Sequence, residues 1–142
     1  MKKLAVLAVL VIALAGCKDP YGASEKAAAD IGASIGAGMK TVDSLRVAGV
    51  ITPQEETSVL GYLKFANDAN GAFGNCASQA HAAGNKAGAF TACAQTFLTT
   101  LNTPSELALI RVGNPQAQQE IQTIVTGVIT GVNAAIAALG GS

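Results

Sequence analysis

The sequence predicts an all-α protein, a mostly antiparallel four-helix bundle with a short extra helix between helices three and four. Three observations carry that expectation. Ala supplies 28 of the 71 apolar residues, Trp is absent and only six residues are Phe or Tyr. That composition suits thin, closely packed helices and fills a β-sandwich poorly. Apolar residues recur at steps of three and four through four long segments, the spacing of a helix with one buried face. The segments are separated by short runs holding Thr-Pro, Asn-Pro and Gly signals, and short connections make neighbouring helices antiparallel. A length of 142 residues suits one compact domain, and 9 basic side chains against 9 acidic ones exclude a nucleic-acid partner and a disordered tail.

The chain begins with Met1-Lys2-Lys3, a short cationic start, followed from Leu4 to Leu14 by eleven uninterrupted Leu, Ala, Val and Ile residues. As a helix that run spans about 16 Å. It is too short for a stable membrane span and suits the apolar region of a secretory signal. It ends in Leu14-Ala15-Gly16-Cys17, and here the sequence resembles the bacterial prolipoproteins, whose signals close on a lipobox of this form. The resemblance covers residues 1–17. It implies that residues 1–16 are a signal peptide removed by a dedicated peptidase, and that the Cys17 thiol receives a diacylglycerol through a thioether. Small Ala15 and Gly16 leave the peptide bond accessible, and Cys is the side chain nucleophilic enough for the step. Two or three acyl chains exceed what stable anchoring requires, so the implied partner is a membrane held through the N-terminus. In enterobacterial lipoproteins Asp after the lipidated Cys retains the protein in the inner membrane. Lys18 at that place implies the outer membrane, on its periplasmic or surface face.

Residues 17–24 read as the lipidated Cys and a tether, because Asp19-Pro20 and Tyr21-Gly22 are turn and breaker residues without periodicity. The bundle domain is expected over 25–139. Ser24 is the expected cap of helix one, with Glu25 in its first turn, and Ala28, Ile31, Ile35, Met39, Val42 and Leu45 form its stripe to about Gly49. A small-residue row, Ala28, Gly32 and Gly36, lies beside the stripe. Each Gly costs about 1 kcal/mol of helix propensity, so the row predicts close packing against a neighbour. Thr52-Pro53-Gln54-Glu55 predicts a capping box at the start of helix two, which then carries Val59, Leu60, Leu63, Ala66, Ala69, Phe73, Cys76, Ala77 and Ala80. Gly71 and Gly74 are candidate bend points. Gly84-Asn85 ends that helix, and a third from Lys86 shows Ala87, Phe90, Cys93, Phe97 and Leu101 on one side. A second capping box at Thr103 and Glu106 opens the short segment Leu107 to Val112, stopped by Gly113. Asn114-Pro115 starts the last helix, with Ala117, Ile121, Ile124, Val128, Val132, Ala135 and Leu139 at heptad-like spacing.

Few groupings carry chemistry. Cys76 and Cys93 stand at equal distances from Gly84-Asn85, so in an antiparallel hairpin turning there they lie level. In a compartment where disulfides persist, that placement predicts a bond between them rather than two small buried thiols. A redox role would want Cys-x-x-Cys, which is absent. His81 is the only histidine and has no ligand partner at i+3 or i+4, which predicts a surface or helix-end side chain. Haem ligation would need Cys-x-x-Cys-His, which is absent, or facing axial ligands, and Met39 is the only Met in the mature chain. Measured from a turn near Val50, it and His81 are mismatched by about 30 Å. Glu55-Glu56 is explained by the capping box, and no Gly-x-Ser-x-Gly, Ser-x-x-Lys or Gly-x-x-x-x-Gly-Lys occurs. No metal or cofactor is implied, and an enzyme is not expected.

The expected function is therefore that of a small membrane-anchored helical lipoprotein of the bacterial envelope, binding or structural, with a protein partner or self-association as its expected kind of contact. Two alternatives stay open. Ile121 to Leu139 is uncharged and long enough to cross a bilayer at the lower limit, with Gly127-x-x-x-Gly131 as a pairing face, which allows a membrane-active, phage-related protein. Against insertion, Gln122, Thr126, Thr130 and Asn133 form a narrow polar stripe that a water-facing edge explains. The second alternative is a carrier of an apolar ligand held between Ala- and Gly-lined helices.

Overall fold

The computed structural model describes residues 19–84, 86–102 and 112–140. Among them all regular structure is helical: α1 (Pro20–Val47), α2 (Pro53–Ala82), α3 (Ala87–Leu101) and α4 (Pro115–Gly140). Each helix packs on the next and α4 closes back onto α1, so the four form a ring around one core. Contacts along the α1–α2 pair fix opposite directions: Tyr21 meets His81 at one end and Arg46 meets Glu56 at the other. Along α2–α3 the pairs Cys76 with Cys93 and Phe73 with Phe97 do the same. Gly113, just before α4, donates its N–H to Glu55 at the start of α2. The last helix thus begins beside the α1–α2 turn and runs antiparallel to both α1 and α3.

The boundaries follow from local chemistry. Asp19 caps α1, its carboxylate accepting the N–H groups of Tyr21 and Gly22 at 3.3 and 3.0 Å, and Pro20 takes the first helical position. The helix therefore starts four residues before the expected Ser24 cap. Ser24 is buried inside the second turn and donates to the Pro20 carbonyl, Glu25 lies beyond the first turn, and the tether ends at Asp19 instead of running to residue 24. Breaker residues misled here because Asp-Pro is also a helix opening. At the other end Gly49 takes φ +71°, with Val50 N–H bonded to the Leu45 carbonyl and Gly49 N–H to that of Arg46. Those two bonds are the Schellman closure that a left-handed glycine permits. The Thr52 capping box forms as expected: Glu55 N–H donates to Thr52 Oγ1 at 3.2 Å, and Thr52 N–H to Glu55 Oε2 at 2.8 Å. Helix α2 continues unbroken through Gly71 and Gly74. Asn114 Oδ1 accepts from Gln116 and Ala117 to open α4.

The core takes Ile31, Ile35 and Val42 from α1, Val59, Leu63 and Phe73 from α2, Phe90, Ala94 and Leu101 from α3, and Ile121, Val128 and Val132 from α4. Two residues outside the expected α2 stripe are buried with them, Tyr62 and Asn70. Asn70 lies against α1, its Nδ2 donating to the Ala28 carbonyl at 2.8 Å while its Oδ1 is buried without a hydrogen-bond partner. Gly32 faces that amide; a Cβ added there would stand 3.4 Å from Asn70 Nδ2. The close approach expected along Ala28, Gly32 and Gly36 is thus real at the first two positions, and at Gly36 nothing lies within 4 Å of an added Cβ. Gly38, one face over, is tighter than either glycine of the row: a Cβ would stand 2.6 Å from Ile124 Cγ2 of α4 and 3.7 Å from Leu63 Cδ1.

That contrast sets opposite signs for two substitutions. Gly36→Ala should stabilise by up to about 1 kcal/mol through helix propensity. Gly38→Ala should destabilise, since Ile124 Cγ2 hangs directly from the α4 Cβ and the overlap costs about 1–3 kcal/mol, more than the propensity gain. Urea midpoints of the two variants check this; equal shifts would show that α1 and α4 are not in contact at Gly38.

Candidate functional site at the α2–α3 clasp

Helices α2 and α3 are clasped where the sequence placed its two thiols. Cys76 and Cys93 are disulfide-bonded, with Cα atoms 5.8 Å apart. Cys93 is buried and Cys76 half-buried at the edge of the core. Phe73 and Phe97 stack beneath the bond, centroids 5.7 Å apart and planes 17° from parallel. Phe90, expected beside them, sits nearer the bundle end and tilts against Tyr21 at 6.4 Å. Between the two helices lies a slot of about 100 Å³, with Phe73, Phe97 and the disulfide as its floor and Ala69, Ala72, Thr96 and Thr100 along its rim. Its chemistry is apolar. The rim hydroxyls donate to carbonyls of their own helix, Thr96 to Ala92 at 3.0 Å and Thr100 to Thr96 at 2.9 Å. The volume is below the roughly 150 Å³ of a cavity that admits benzene. The slot has room for a short alkyl group.

A second cluster joins the ends of three helices. Tyr21, in the first turn of α1, stacks on His81 in the last turn of α2, centroids 4.1 Å apart and planes 10° from parallel. A hydrogen bond with Glu25 is the main cause that holds the Tyr21 hydroxyl above its ordinary range, with desolvation adding to it. His81 is exposed at a helix end, as expected. Met39 lies eighteen positions along α1 from Tyr21, about 27 Å of helix rise away from that end. Among the described residues no three His, Cys, Asp or Glu side chains are grouped to hold a metal ion.

No protein-family model, curated protein or solved structure matches this chain. Its residues are therefore read from their own surroundings. Cys17 lies outside the described residues, as do Thr103, Glu106 and all of the expected short helix except Val112, which is buried and not helical.

At the opposite end from the Tyr21 cluster, Glu55 does more than close a capping box. One carboxylate oxygen accepts Thr52 N–H and the other accepts Gly113 N–H from the segment entering α4. A single side chain therefore ties the starts of α2 and α4 together, 58 positions apart in sequence. The bonds favour the charged form, Gly113 N–H most and Thr52 next, and hold Glu55 below the ordinary carboxylate range. A carboxylate with its folded pKa depressed contributes stability that is present above its unfolded pKa, about 4.3. That contribution is lost as pH falls through the folded value. Glu55→Gln should consequently melt lower than the parent at neutral pH, and the gap should close in acid below pH ~4. A gap unchanged between pH 7 and pH 3 would show that the carboxylate charge is not what holds Gly113. The capping role was legible in Thr-Pro-x-Glu spacing; the second bond, across the fold, carries no local signal.

Proposed function

We propose that this chain is a small lipoprotein of the bacterial envelope, anchored by acyl chains on Cys17, whose helical bundle acts by binding or as structure and not by catalysis. The observation that carries the reading is the run from Met1 to Cys17: a cationic start, an eleven-residue apolar stretch and the Leu14-Ala15-Gly16-Cys17 box. Two features support it. The bundle begins at Pro20, so a domain with a compact core follows the box almost at once. Its Cys76–Cys93 disulfide suits a protein exported to an oxidising compartment. Lys18 favours the outer membrane as its address.

The alternative, a membrane-active protein inserted through its last helix, draws on the length of Pro115–Leu139 and on its most apolar 18-residue stretch, of mean hydropathy 1.6, with Glu120 the one charged residue of the helix. The packing of α4 supports the bundle instead. Ile121, Val125, Val128, Val132 and Leu139 are buried against the other helices, and insertion would strip them from the core while carrying exposed Gln122 and Asn133 into hydrocarbon.

The test is metabolic labelling with a palmitate analogue in a bacterial host. The parent chain should take the label and run at the processed size, and Cys17→Ser should lose the label and accumulate as precursor. Processing of the serine variant at the same bond would overturn the lipoprotein reading.

A further inference from the structure

Charge is divided unevenly over the bundle. Among the described residues, α3 carries no Asp, Glu, Lys or Arg, and α4 carries only Glu120 in its second turn; the ionic groups lie on α1, α2 and the turns beside them. The outward positions of α3 and α4 are small or uncharged, with Ala92, Gln95 and Thr99 exposed on one and Gln122, Thr126 and Asn133 on the other. The backbone is approachable there, since an added Cβ at Gly127 or Gly88 would meet nothing within 4 Å.

We propose that this α3–α4 face is where a second copy of the chain docks. Three arguments select that occupant. Lipid is a poor cover, because Gln122, Thr126 and Asn133 would lose their hydrogen bonds to water with no replacement in hydrocarbon. A strongly charged partner is a poor cover too, because its ions would be desolvated against a surface that offers none in return. An identical face has neither fault: across a two-fold axis amides and hydroxyls meet amides and hydroxyls and can pair reciprocally, and no charge is buried. Area sets the strength. With helices of 15 and 26 residues, each about 10 Å wide, the face measures on the order of 600 Å² per copy and about 1,200 Å² in a pair, the lower bound for a specific interface. Such a contact is weak in dilute solution and becomes populated when copies share one membrane surface, where tethering raises their effective concentration. In that respect the inference rests on the lipoprotein reading.

The experiment places a benzophenone amino acid at Thr126 of the full chain, expressed in a bacterial envelope and irradiated in intact cells. The expected product is an adduct of twice the chain mass, shown by mass spectrometry to join the Thr126 peptide to a peptide from α3 or α4 of another copy. The same probe at Lys64, exposed on α2, should give no self-adduct. Thr99→Arg should abolish the Thr126 adduct by burying a charge, whereas Asn67→Arg, at an exposed position of α2, should leave it intact. Helical circular dichroism with a cooperative melt like the parent's shows that both variants are folded. An adduct to lipid or to a different protein, no self-adduct, or one indifferent to Thr99→Arg overturns the proposal. Palmitate labelling is scored separately: an acylated chain that gives no self-adduct sinks this inference alone, and an unlabelled chain sinks the anchoring reading.

Discussion

Tyr62→Ala should cost about 3–5 kcal/mol, the range for truncating a buried aromatic side chain. Tyr62 is fully buried on α2, beside the end of α3 at Leu101. The hydroxyl reaches the carbonyl of Leu101 at 3.4 Å, a group in the last turn of α3 with no partner inside its own helix. At that length the bond is a weak one. Tyr62→Phe keeps the ring and its packing, and should therefore lose less than Tyr62→Ala. Urea denaturation of the two variants separates the terms: a large loss confined to Ala assigns the effect to packing, and comparable losses would assign it to the capped carbonyl.

Replacing Cys76 and Cys93 together by Ala should lower stability by about 2–5 kcal/mol, as for native disulfides in small exported domains. The bond joins positions 17 apart. In the chain-entropy picture, closing a loop of this size removes about 3 kcal/mol of freedom from the unfolded chain. Helical content of the folded fraction should not change, because Phe73, Phe97 and Leu101 still bury the α2–α3 seam. Circular dichroism melts measure both quantities. Non-reducing peptide mapping of protein from the envelope supplies the decisive check: two freely alkylated thiols would remove the clasp from the account.

Most of the architecture was legible because it rests on local rules. Thr52-Pro53-x-Glu55, Asn114-Pro115 and the glycines after α1 and α2 mark boundaries through bonds made within a few residues, and the apolar steps mark which face turns inward. The cysteine pair was legible because symmetry about a turn is a property of spacing. What escaped depends on partners distant in sequence. Asp19 and Ser24 are equally good caps in isolation, and the choice fell to Asp19 because Pro20 and buried Ala23 carry the first turn into the core. Gly36 stood in the row expected to pack closely and Gly38 did not, and only α4 brought alongside reverses the two. Glu55 looked complete with its own cap, and nothing near it in sequence announces Gly113.

The contacts at the two ends of the α1–α2 pair bear on how an alanine-rich bundle avoids sliding. Where helices meet through Ala and Gly, a shift of one helical turn, about 5.4 Å, exchanges one small residue for another and forfeits little dispersion energy. Apolar contact alone is then a poor ruler for the α1–α2 seam. Nor does the bond from Asn70 Nδ2 to the Ala28 carbonyl supply the mark by itself, because a helix backbone offers a carbonyl at every turn. The side chains at the ends supply it: a one-turn slip parts Tyr21 from His81 and Arg46 from Glu56 together, and the seam has one setting at which both pairs meet.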